Sequence, residues 1–125
     1  MGWIAVVDDD APMVTMIREA LELDRRPVKT FTDAKFAFKE LTAPNGPACD
    51  LLILDVMMPG MDGLTFCNAL EEHPRTKSLP VVIASAHENT RQLFLGNDRV
   101  RAFLKKPLDL DELRTLLSNI LQPLR

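Results

Sequence analysis

Four short apolar segments of this sequence are each followed closely by polar residues of types that do chemistry. These residues are Asp8 and Asp9 after the first such segment, Asp55 after the next, then Ser85, and finally Lys106. If the segments are parallel strands, the residues meet at one edge of a sheet, which is where open α/β sheets bind ligands. Three carboxylates meeting there need raised pKa values or a compensating cation, because two of them 4 Å apart repel by about 4 kcal/mol at an effective dielectric constant near 20.

The composition of this cluster predicts a magnesium site that handles phosphoryl groups. One lysine does not balance three carboxylates, whereas a divalent cation that prefers oxygen ligands does. Because no histidine or cysteine is clustered with these acids, Mg²⁺ is favoured over Zn²⁺. A carboxylate beside Mg²⁺, a lysine and a hydroxyl is equipped to accept a phosphoryl group, since the cations neutralise its oxygens while the carboxylate attacks in line.

Five strands alternating with helices are the elements that must bring these residues together. The segments are apolar on both faces, which is typical of strands covered by helices on both sides. Five such units predict a doubly wound (βα)5 domain of the α/β class with a five-stranded parallel sheet. The predicted strands are Trp3–Val7, Val28–Phe31, Leu51–Leu54, Pro80–Ala84 and Val100–Leu104.

Helices are predicted to begin at aspartates that cap free backbone N–H groups. The capping residues are Asp10, Asp33, Asp62 and Asp109, and a fourth, weakly specified helix is predicted near 89–95. Apolar residues at helical spacing predict the faces turned to the core. They are Met13, Met16, Ile17, Ala20 and Leu21 in the first helix, Phe36, Ala37 and Leu41 in the second, Leu64, Phe66, Ala69 and Leu70 in the third, and Leu110, Leu113, Leu117, Ile120 and Leu121 in the last.

Length and composition predict one domain over residues 1–125 that works in the cytoplasm. The net charge of −3 gives no general attraction to nucleic acid or anionic lipid. The apolar runs are far shorter than the ~18 residues of a membrane span, so no membrane partner is expected. Two cysteines without a CxxC pair, Cys49 and Cys67, fit a reducing compartment and are predicted to be packing residues.

In order and spacing, four motifs resemble those of the receiver domain of two-component response regulators. The Asp-x-x-Met-Pro-x-Met-Asp-Gly run from Asp55 to Gly63 is the most specific of them. The resemblance implies a flavodoxin-like fold with strand order 2-1-3-4-5. It also implies a signalling switch that is phosphorylated by a sensor histidine kinase or a histidine phosphotransfer protein. The four motifs are Val6–Asp9, Leu51–Gly63, Val82–Ala86 and Phe103–Pro107.

The resemblance also assigns roles around the acidic cluster. Asp55 is implied to be the phospho-acceptor, and Lys106 to pair first with Asp55 and then with the phosphoryl group. Asp8, Asp9, Asp55 and the backbone carbonyl of Met57 are implied to hold Mg²⁺, with Asp9 as the direct ligand and Asp8 acting mainly through water. The bond from Lys106 to the following proline is expected to be cis, as is usual in the family.

A second group of residues is implied to respond to the phosphoryl group. The hydroxyl of Ser85 is expected to move to a phosphoryl oxygen, and Phe103 to swing into the space that this vacates. The surface of the fourth helix, fifth strand and fifth helix then binds a downstream output protein or domain. Met57 and His87 flank the phosphoryl group and tune its hydrolysis; we expect the bulky Met57 side chain to crowd the attacking water. Such a protein modifies itself and is not a multiple-turnover enzyme.

Three other functions remain alternatives from sequence alone. A pseudo-receiver binds partners without taking phosphate, although all the named acceptor residues are present here. A Mg²⁺-dependent phosphatase of the haloacid dehalogenase type is suggested by Asp8 and Asp10, but Ala11 and Pro12 follow where that motif requires Thr or Val. A flavodoxin-like nucleotide-binding protein needs a glycine-rich phosphate loop, which the first turn does not have.

Basic residues near the fifth strand have two interpretations. Arg99, Arg101 and Lys105 form either a basic strip on the output face or solvated charges on a strand edge; for Lys105 we favour the solvated charge. The segment 96–103 also differs from the one found in many DNA-binding members of the family, so their dimer mode is not implied.

Overall fold

Five strands and five helices alternate in the part of the chain that the structure describes. The computed structural model describes residues 2–58, 60, 62–87 and 89–121. The elements are β1 (Trp3–Val7), α1 (Ala11–Leu23), β2 (Val28–Phe31), α2 (Ala34–Thr42), β3 (Cys49–Leu54), α3 (Gly63–Glu71), β4 (Val81–Ser85), α4 (Thr90–Leu93), β5 (Val100–Lys105) and α5 (Leu110–Ile120).

The strands form one parallel sheet in the order β2-β1-β3-β4-β5. Every residue of β1 and β4 is buried, whereas the edge strand β2 is only partly buried. Burial on both faces explains why the central strands are mostly apolar. The predicted flavodoxin-like α/β fold and its strand order are confirmed.

Helices cover both faces of this sheet. Successive strand residues point to opposite faces, so the core divides into two apolar clusters. One cluster joins β1 to α2 and α3 and includes Ala5, Val7, Ala37, Leu41 and Leu70. The other joins β1 to α1 and α5 and includes Ile4, Val6, Ile17, Leu21, Leu113 and Leu117.

Aspartates cap four of the helices, as predicted. Asp10, Asp33, Asp62 and Asp109 each accept hydrogen bonds from backbone N–H groups two or three residues further on. These bonds satisfy donors that have no partner inside the helix, and the negative charge also suits the helix N-terminus. The longest described helix, α1, has 13 residues. None of the described helices combines the length and the apolar character that crossing a bilayer requires.

Several predicted boundaries were wrong by one or two residues. β3 begins at Cys49, because this strand pairs with β1 before its apolar run starts. β4 begins after Pro80, which has no N–H to donate, and it includes Ser85. β5 extends to Lys105, and the fourth helix is confined to Thr90–Leu93.

Two large side chains predicted to face the core are instead exposed. Met16 is 48% exposed, because the buried stripe of α1 runs through Val14, Ile17 and Leu21 and leaves Met16 on its flank. Phe36 is 58% exposed on α2, and its ring packs 5.9 Å from that of Phe31. Small shifts in the phase of a helical stripe therefore decide which apolar residues remain at the surface.

Both cysteines are free thiols. Cys67 is fully buried and Cys49 partly buried, in keeping with their predicted packing role. Burial raises the pKa of the Cys49 thiol to about 12 and that of Cys67 to about 11. Because the thiolate is the reactive form, both side chains are chemically quiet at neutral pH.

Candidate functional site

The carboxyl ends of β1, β3, β4 and β5 meet at one edge of the sheet and carry the predicted site residues. Backbone hydrogen bonds between neighbouring segments continue past the ends of the strands. The N–H of Asp55 donates to the carbonyl of Val7 over 2.9 Å, and that of Lys106 donates to the carbonyl of Ser85 over 3.0 Å. Asp8 directly follows β1. The sheet itself therefore fixes the backbone from which these side chains project.

Three carboxylates and one ammonium group form the centre of the site. Asp8, Asp9 and Asp55 each offer an oxygen within 4.8 Å of the others. Asp8 and Asp55 are buried, whereas Asp9 is exposed, so the cluster opens to solvent on the Asp9 side. The Nζ atom of Lys106 lies 2.8 Å from Asp8 Oδ2 and 3.2 Å from Asp55 Oδ2. The structure thus brings together four of the residues predicted to act here.

Backbone N–H groups fix the second oxygen of each buried carboxylate. The Asp10 N–H donates to Asp8 Oδ1 over 2.9 Å, and the Met57 N–H donates to Asp55 Oδ1 over 2.9 Å. Each donor comes two residues after its carboxylate. Both side chains are therefore held between a backbone amide and the Lys106 ammonium, which leaves them little rotational freedom.

The electrostatics of the cluster are dominated by burial. Burial raises the pKa of Asp8 above its ordinary value, against the opposing effect of the Lys106 hydrogen bond. Burial lowers the pKa of Lys106, but hydrogen bonds to Asp8 and Asp55 outweigh it, so that pKa lies above its ordinary value. Lys106 is therefore charged at neutral pH. With all three acids ionised, one ammonium against three carboxylates leaves an excess of two negative charges.

This donor set fits a magnesium ion. Mg²⁺ takes oxygen ligands at about 2.1 Å in octahedral geometry, so ligand oxygens on opposite sides of it lie about 4.2 Å apart. The carboxylate oxygens of Asp8, Asp9 and Asp55 already lie within 4.8 Å of one another. The excess of two negative charges equals the charge of a divalent cation. Oxygen donors without sulfur or imidazole are the ligands that Mg²⁺ prefers.

Ser85 lies at the same edge but hydrogen-bonds toward α4. Its Oγ is 2.9 Å from Thr90 Oγ1, and it accepts the N–H of His87 over 3.1 Å. Ser85 and Thr90 are both buried. A cavity of about 220 Å³ adjoins them and is also lined by Phe103 and Arg91. The predicted switch residues Ser85 and Phe103 therefore share one cavity.

Phe103, which lines that cavity, is half-buried. Its ring lies 6.3 Å from the ring of Phe94, and the Arg91 guanidinium lies 5.1 Å from its centroid. A cation over an aromatic face is attracted to it. Arg91 and Phe94 thus hold the ring in its present position.

The two predicted tuning residues lie close to the site in sequence and are exposed. Met57, two residues after Asp55, is 53% exposed, and His87, two residues after Ser85, is also exposed. The bond between Lys106 and Pro107 is cis, as the resemblance implied. Positions 59, 61 and 88 lie outside the described residues, and the first two of them belong to the Asp55–Gly63 motif.

The sequence did not predict the contact of Thr90 with Ser85, and the predicted environment of Arg99 was wrong. The contact between Thr90 and Ser85 depends on the path of the loop between them, and no residue pattern signals it. Arg99 was assigned to either a basic strip or a solvated edge, and both interpretations are wrong. Its side chain is only 10% exposed, lies 3.9 Å from Glu71 and donates to the carbonyl of Cys67 over 2.6 Å. Arg101 and Lys105 are exposed on β5.

Known proteins match this chain over most of its length. The family model for the response regulator receiver domain matches residues 4–118. Response regulator PleD of Caulobacter vibrioides is 36% identical over 107 residues, which are 85% of this chain and 23% of PleD. The cyclic di-GMP phosphodiesterase response regulator RpfG of Xanthomonas campestris is 36% identical over 121 residues, 95% of this chain and 32% of RpfG. The chain thus spans a quarter to a third of these relatives.

Solved structures share the fold. Response regulator TrrA of Thermotoga maritima, solved in complex with Mg²⁺-BeF, superposes with a TM-score of 0.80 at 26% identity, covering 97% of this chain and 100% of TrrA. Chemotaxis response regulator CheY4 of Vibrio cholerae gives a TM-score of 0.83 at 24% identity, covering 97% and 99% of the two chains. From the family match and the shared fold together, it follows that this chain belongs to the response regulator receiver domain family of two-component signalling.

Proposed function

We propose that residues 1–125 form a receiver domain in which Asp55 takes a phosphoryl group from a phosphohistidine of a sensor histidine kinase or a histidine phosphotransfer protein. The observation that carries the proposal is the position of Lys106 Nζ, 2.8 Å from Asp8 and 3.2 Å from Asp55. That ammonium lies where charge develops during phosphoryl transfer. The two free cysteines are consistent with a reducing cytoplasm.

In the transfer, which depends on Mg²⁺, the chain supplies a positioned carboxylate as the nucleophile. An oxygen of Asp55 attacks the phosphorus atom, a phosphorus–oxygen bond forms, and the phosphorus–nitrogen bond of the donor breaks. The imidazole leaves with the bonding electrons and takes a proton from solvent. Met57 N–H holds one oxygen of Asp55 and Lys106 the other, so the nucleophile is oriented before the donor arrives. Water later hydrolyses the acyl phosphate. The protein therefore modifies itself and does not turn over a diffusible substrate.

Asp8, Asp9, Asp55 and the backbone carbonyl of Met57 are the groups that would hold Mg²⁺. When bound, the ion supplies positive charge to the phosphoryl oxygens. Support comes from the carboxylate oxygens within 4.8 Å of one another and from TrrA, a relative of the same fold that was solved with Mg²⁺-BeF. The exposed Asp9 leaves the cluster open on the side from which an ion enters.

The output of the switch is a change in the surface of α4, β5 and α5. In this proposal Ser85 donates its hydroxyl to a phosphoryl oxygen, and Phe103 moves into the cavity that it already lines. A phosphoryl group adds nearly two negative charges, which is enough to bias a loop between two arrangements. The partner that recognises the changed surface is an output protein or domain rather than nucleic acid. Met57 and His87 set how fast water reaches the acyl phosphate.

Intact-protein mass spectrometry after treatment with acetyl phosphate and Mg²⁺ tests the proposal. Wild type should gain the mass of one phosphoryl group, and Asp55→Asn should gain none. Asp111→Asn, which changes an exposed acid on α5, is the matched control and should behave as wild type. A wild type that gains no mass is a pseudo-receiver. Turnover of a chromogenic phosphate ester that depends on Asp8 would instead indicate a phosphatase.

A further inference from the structure

Ser85 and Thr90 form a buried hydroxyl pair. Their oxygens are 2.9 Å apart, and the two residues are 5% and 4% exposed. Ser85 Oγ also accepts the N–H of His87 over 3.1 Å. A buried hydroxyl with two such partners has a defined orientation, because giving up either bond leaves a polar group unsatisfied.

The pair places Ser85 beside a cavity between α4 and β5 that is separate from the acidic cluster. The cavity that Ser85 and Thr90 share is bounded by Phe103 and Lys105 of β5, and none of the three clustered aspartates lines it. A hydroxyl has one proton to donate. Either hydroxyl of the pair can donate. Where Ser85 is the donor, it gives up its bond to Thr90 when it donates to a phosphoryl oxygen on Asp55.

The next residue of α4, Arg91, contacts the other predicted switch residue, Phe103. Arg91 lies over the ring of Phe103, 5.1 Å from its centroid. The first turn of α4 therefore contacts both Ser85 and Phe103 through consecutive residues. This helix spans only Thr90–Leu93, and the side chain of its N-cap residue Asn89 makes no capping hydrogen bond. A helix this short, without a side-chain N-cap bond, can move together with Ser85 and Phe103, which it contacts.

We propose that Thr90 is a positioning residue that keeps the Ser85 hydroxyl away from Asp55 in the unphosphorylated protein. This inference rests on the proposed function. It implies that Ser85 donates to Thr90 in the unphosphorylated protein and gives up that bond on each phosphorylation, so the pair opposes the phosphorylated state. Thr90→Val keeps the shape of the side chain and removes the hydroxyl. The variant should then bind a phosphoryl mimic about fivefold more tightly, or about 1 kcal/mol, the usual size of one hydrogen bond.

Titration with beryllofluoride at saturating Mg²⁺, followed by ¹⁹F NMR of the bound fluoride, measures this affinity. Thr90→Val should bind about fivefold more tightly than wild type, and Thr90→Ser, which keeps the hydroxyl, should match wild type. Ser85→Ala should bind more weakly. Adding Thr90→Val to Ser85→Ala should change nothing further, because the hydroxyl on which Thr90 acts is gone.

Unchanged or weaker binding by Thr90→Val would overturn the inference, and so would an equal gain in the Ser85→Ala background. Thr90→Ala also lacks the hydroxyl and should show the same direction of change, which covers the case in which the valine variant folds poorly. If wild type neither binds beryllofluoride nor is phosphorylated by acetyl phosphate, the proposed function fails and this inference fails with it. If wild type does both and Thr90→Val is unchanged, only the role of Thr90 is wrong.

Discussion

Lys106 reaches Asp55 across 51 positions of the sequence, with its Nζ atom 3.2 Å from Asp55 Oδ2. The contact joins the loop after β5 to the loop after β3, on strands separated by β4. Such a contact exists only once the sheet has formed. The Asp55 carboxylate and the Lys106 ammonium group are therefore brought together by the fold and not by a local motif.

Removing the Lys106 charge should slow phosphorylation but leave Asp55 able to accept a phosphoryl group. We expect Lys106→Met to reduce the rate of modification by acetyl phosphate about 100-fold, the loss typical of removing one preorganised donor. Lys106→Arg should retain part of the rate because it keeps the charge. The rate is read as the growth of the phosphorylated mass with time. Lys77→Met, at an exposed position outside the site, is the control, and equal rates in both methionine variants would contradict the role of Lys106.

Asp8 should destabilise the metal-free protein and stabilise the magnesium-bound one. Asp8→Asn removes a charge whose burial is unfavourable, so without Mg²⁺ we expect its free energy of unfolding to exceed that of wild type. Added Mg²⁺ should raise the free energy of unfolding of wild type and change that of Asp8→Asn much less. Urea unfolding with and without the ion measures both quantities.

If Mg²⁺ stabilised Asp8→Asn more than wild type, Asp8 would not be part of the metal site. An equal response of wild type and Asp8→Asn to Mg²⁺ would show that the ion binds elsewhere or that Asp8 is dispensable. Asp111→Asn serves as the control here too, because Asp111 is exposed on α5, and it should respond to Mg²⁺ as wild type does.

Met57 should prolong the lifetime of the acyl phosphate. Its side chain is 53% exposed and follows Asp55 by two residues. Met57→Asn replaces an apolar group by a shorter one that hydrogen-bonds water, so we expect dephosphorylation to become severalfold faster. The decay of the phosphorylated mass after removal of acetyl phosphate gives the rate. An unchanged or slower decay rejects crowding by Met57.

The ion pair between Arg114 of α5 and Asp24 at the end of α1 should make a small contribution that depends on pH. Arg114 Nε and Nη2 lie 2.8 and 2.6 Å from the two oxygens of Asp24. Because the pair is partly exposed, a double-mutant cycle with Asp24→Asn and Arg114→Gln should give a small favourable coupling energy. The exposed pair of Lys29 and Glu40, 4.0 Å apart, should give a smaller value in the same assay.

The sign of this pH dependence follows from the direction in which the pKa of Asp24 is shifted. The Arg114 hydrogen bonds hold the pKa of Asp24 below its ordinary value of 3.8. The pair is therefore fully stabilising above pH 3.8 and is lost as the pH falls further, through the pKa of the folded state. Coupling energies measured at pH 7 and near pH 3 should differ in that direction. A coupling that grows on acidification would contradict the assignment.

The fold was predictable because neighbouring signals along the chain agree with one another. The buried strand β1 is apolar throughout and β4 is apolar up to Ser85, and aspartates at positions 10, 33, 62 and 109 mark where helices begin. Each signal depends on a few adjacent residues. Parallel order then brings Asp8, Asp55 and Lys106 to the same edge whatever their distance along the chain.

Features that depend on tertiary packing were not predictable in this way. The exposure of Met16 and Phe36 depends on the exact phase of α1 and α2 over the sheet, which apolar content does not specify. The burial of Arg99 depends on a carbonyl of α3 that lies 32 residues away in the sequence. The pairing of Ser85 with Thr90 depends on how the loop before α4 folds back.

The position of the phosphoryl group tests the central claim most directly. After treatment with acetyl phosphate and Mg²⁺, reduction with borohydride converts an aspartyl phosphate into homoserine, which peptide sequencing by mass spectrometry locates. We predict homoserine at position 55, with none when the metal is removed by a chelator. Homoserine at another aspartate, or an unmodified residue 55 in a protein that gains phosphoryl mass, would contradict this account.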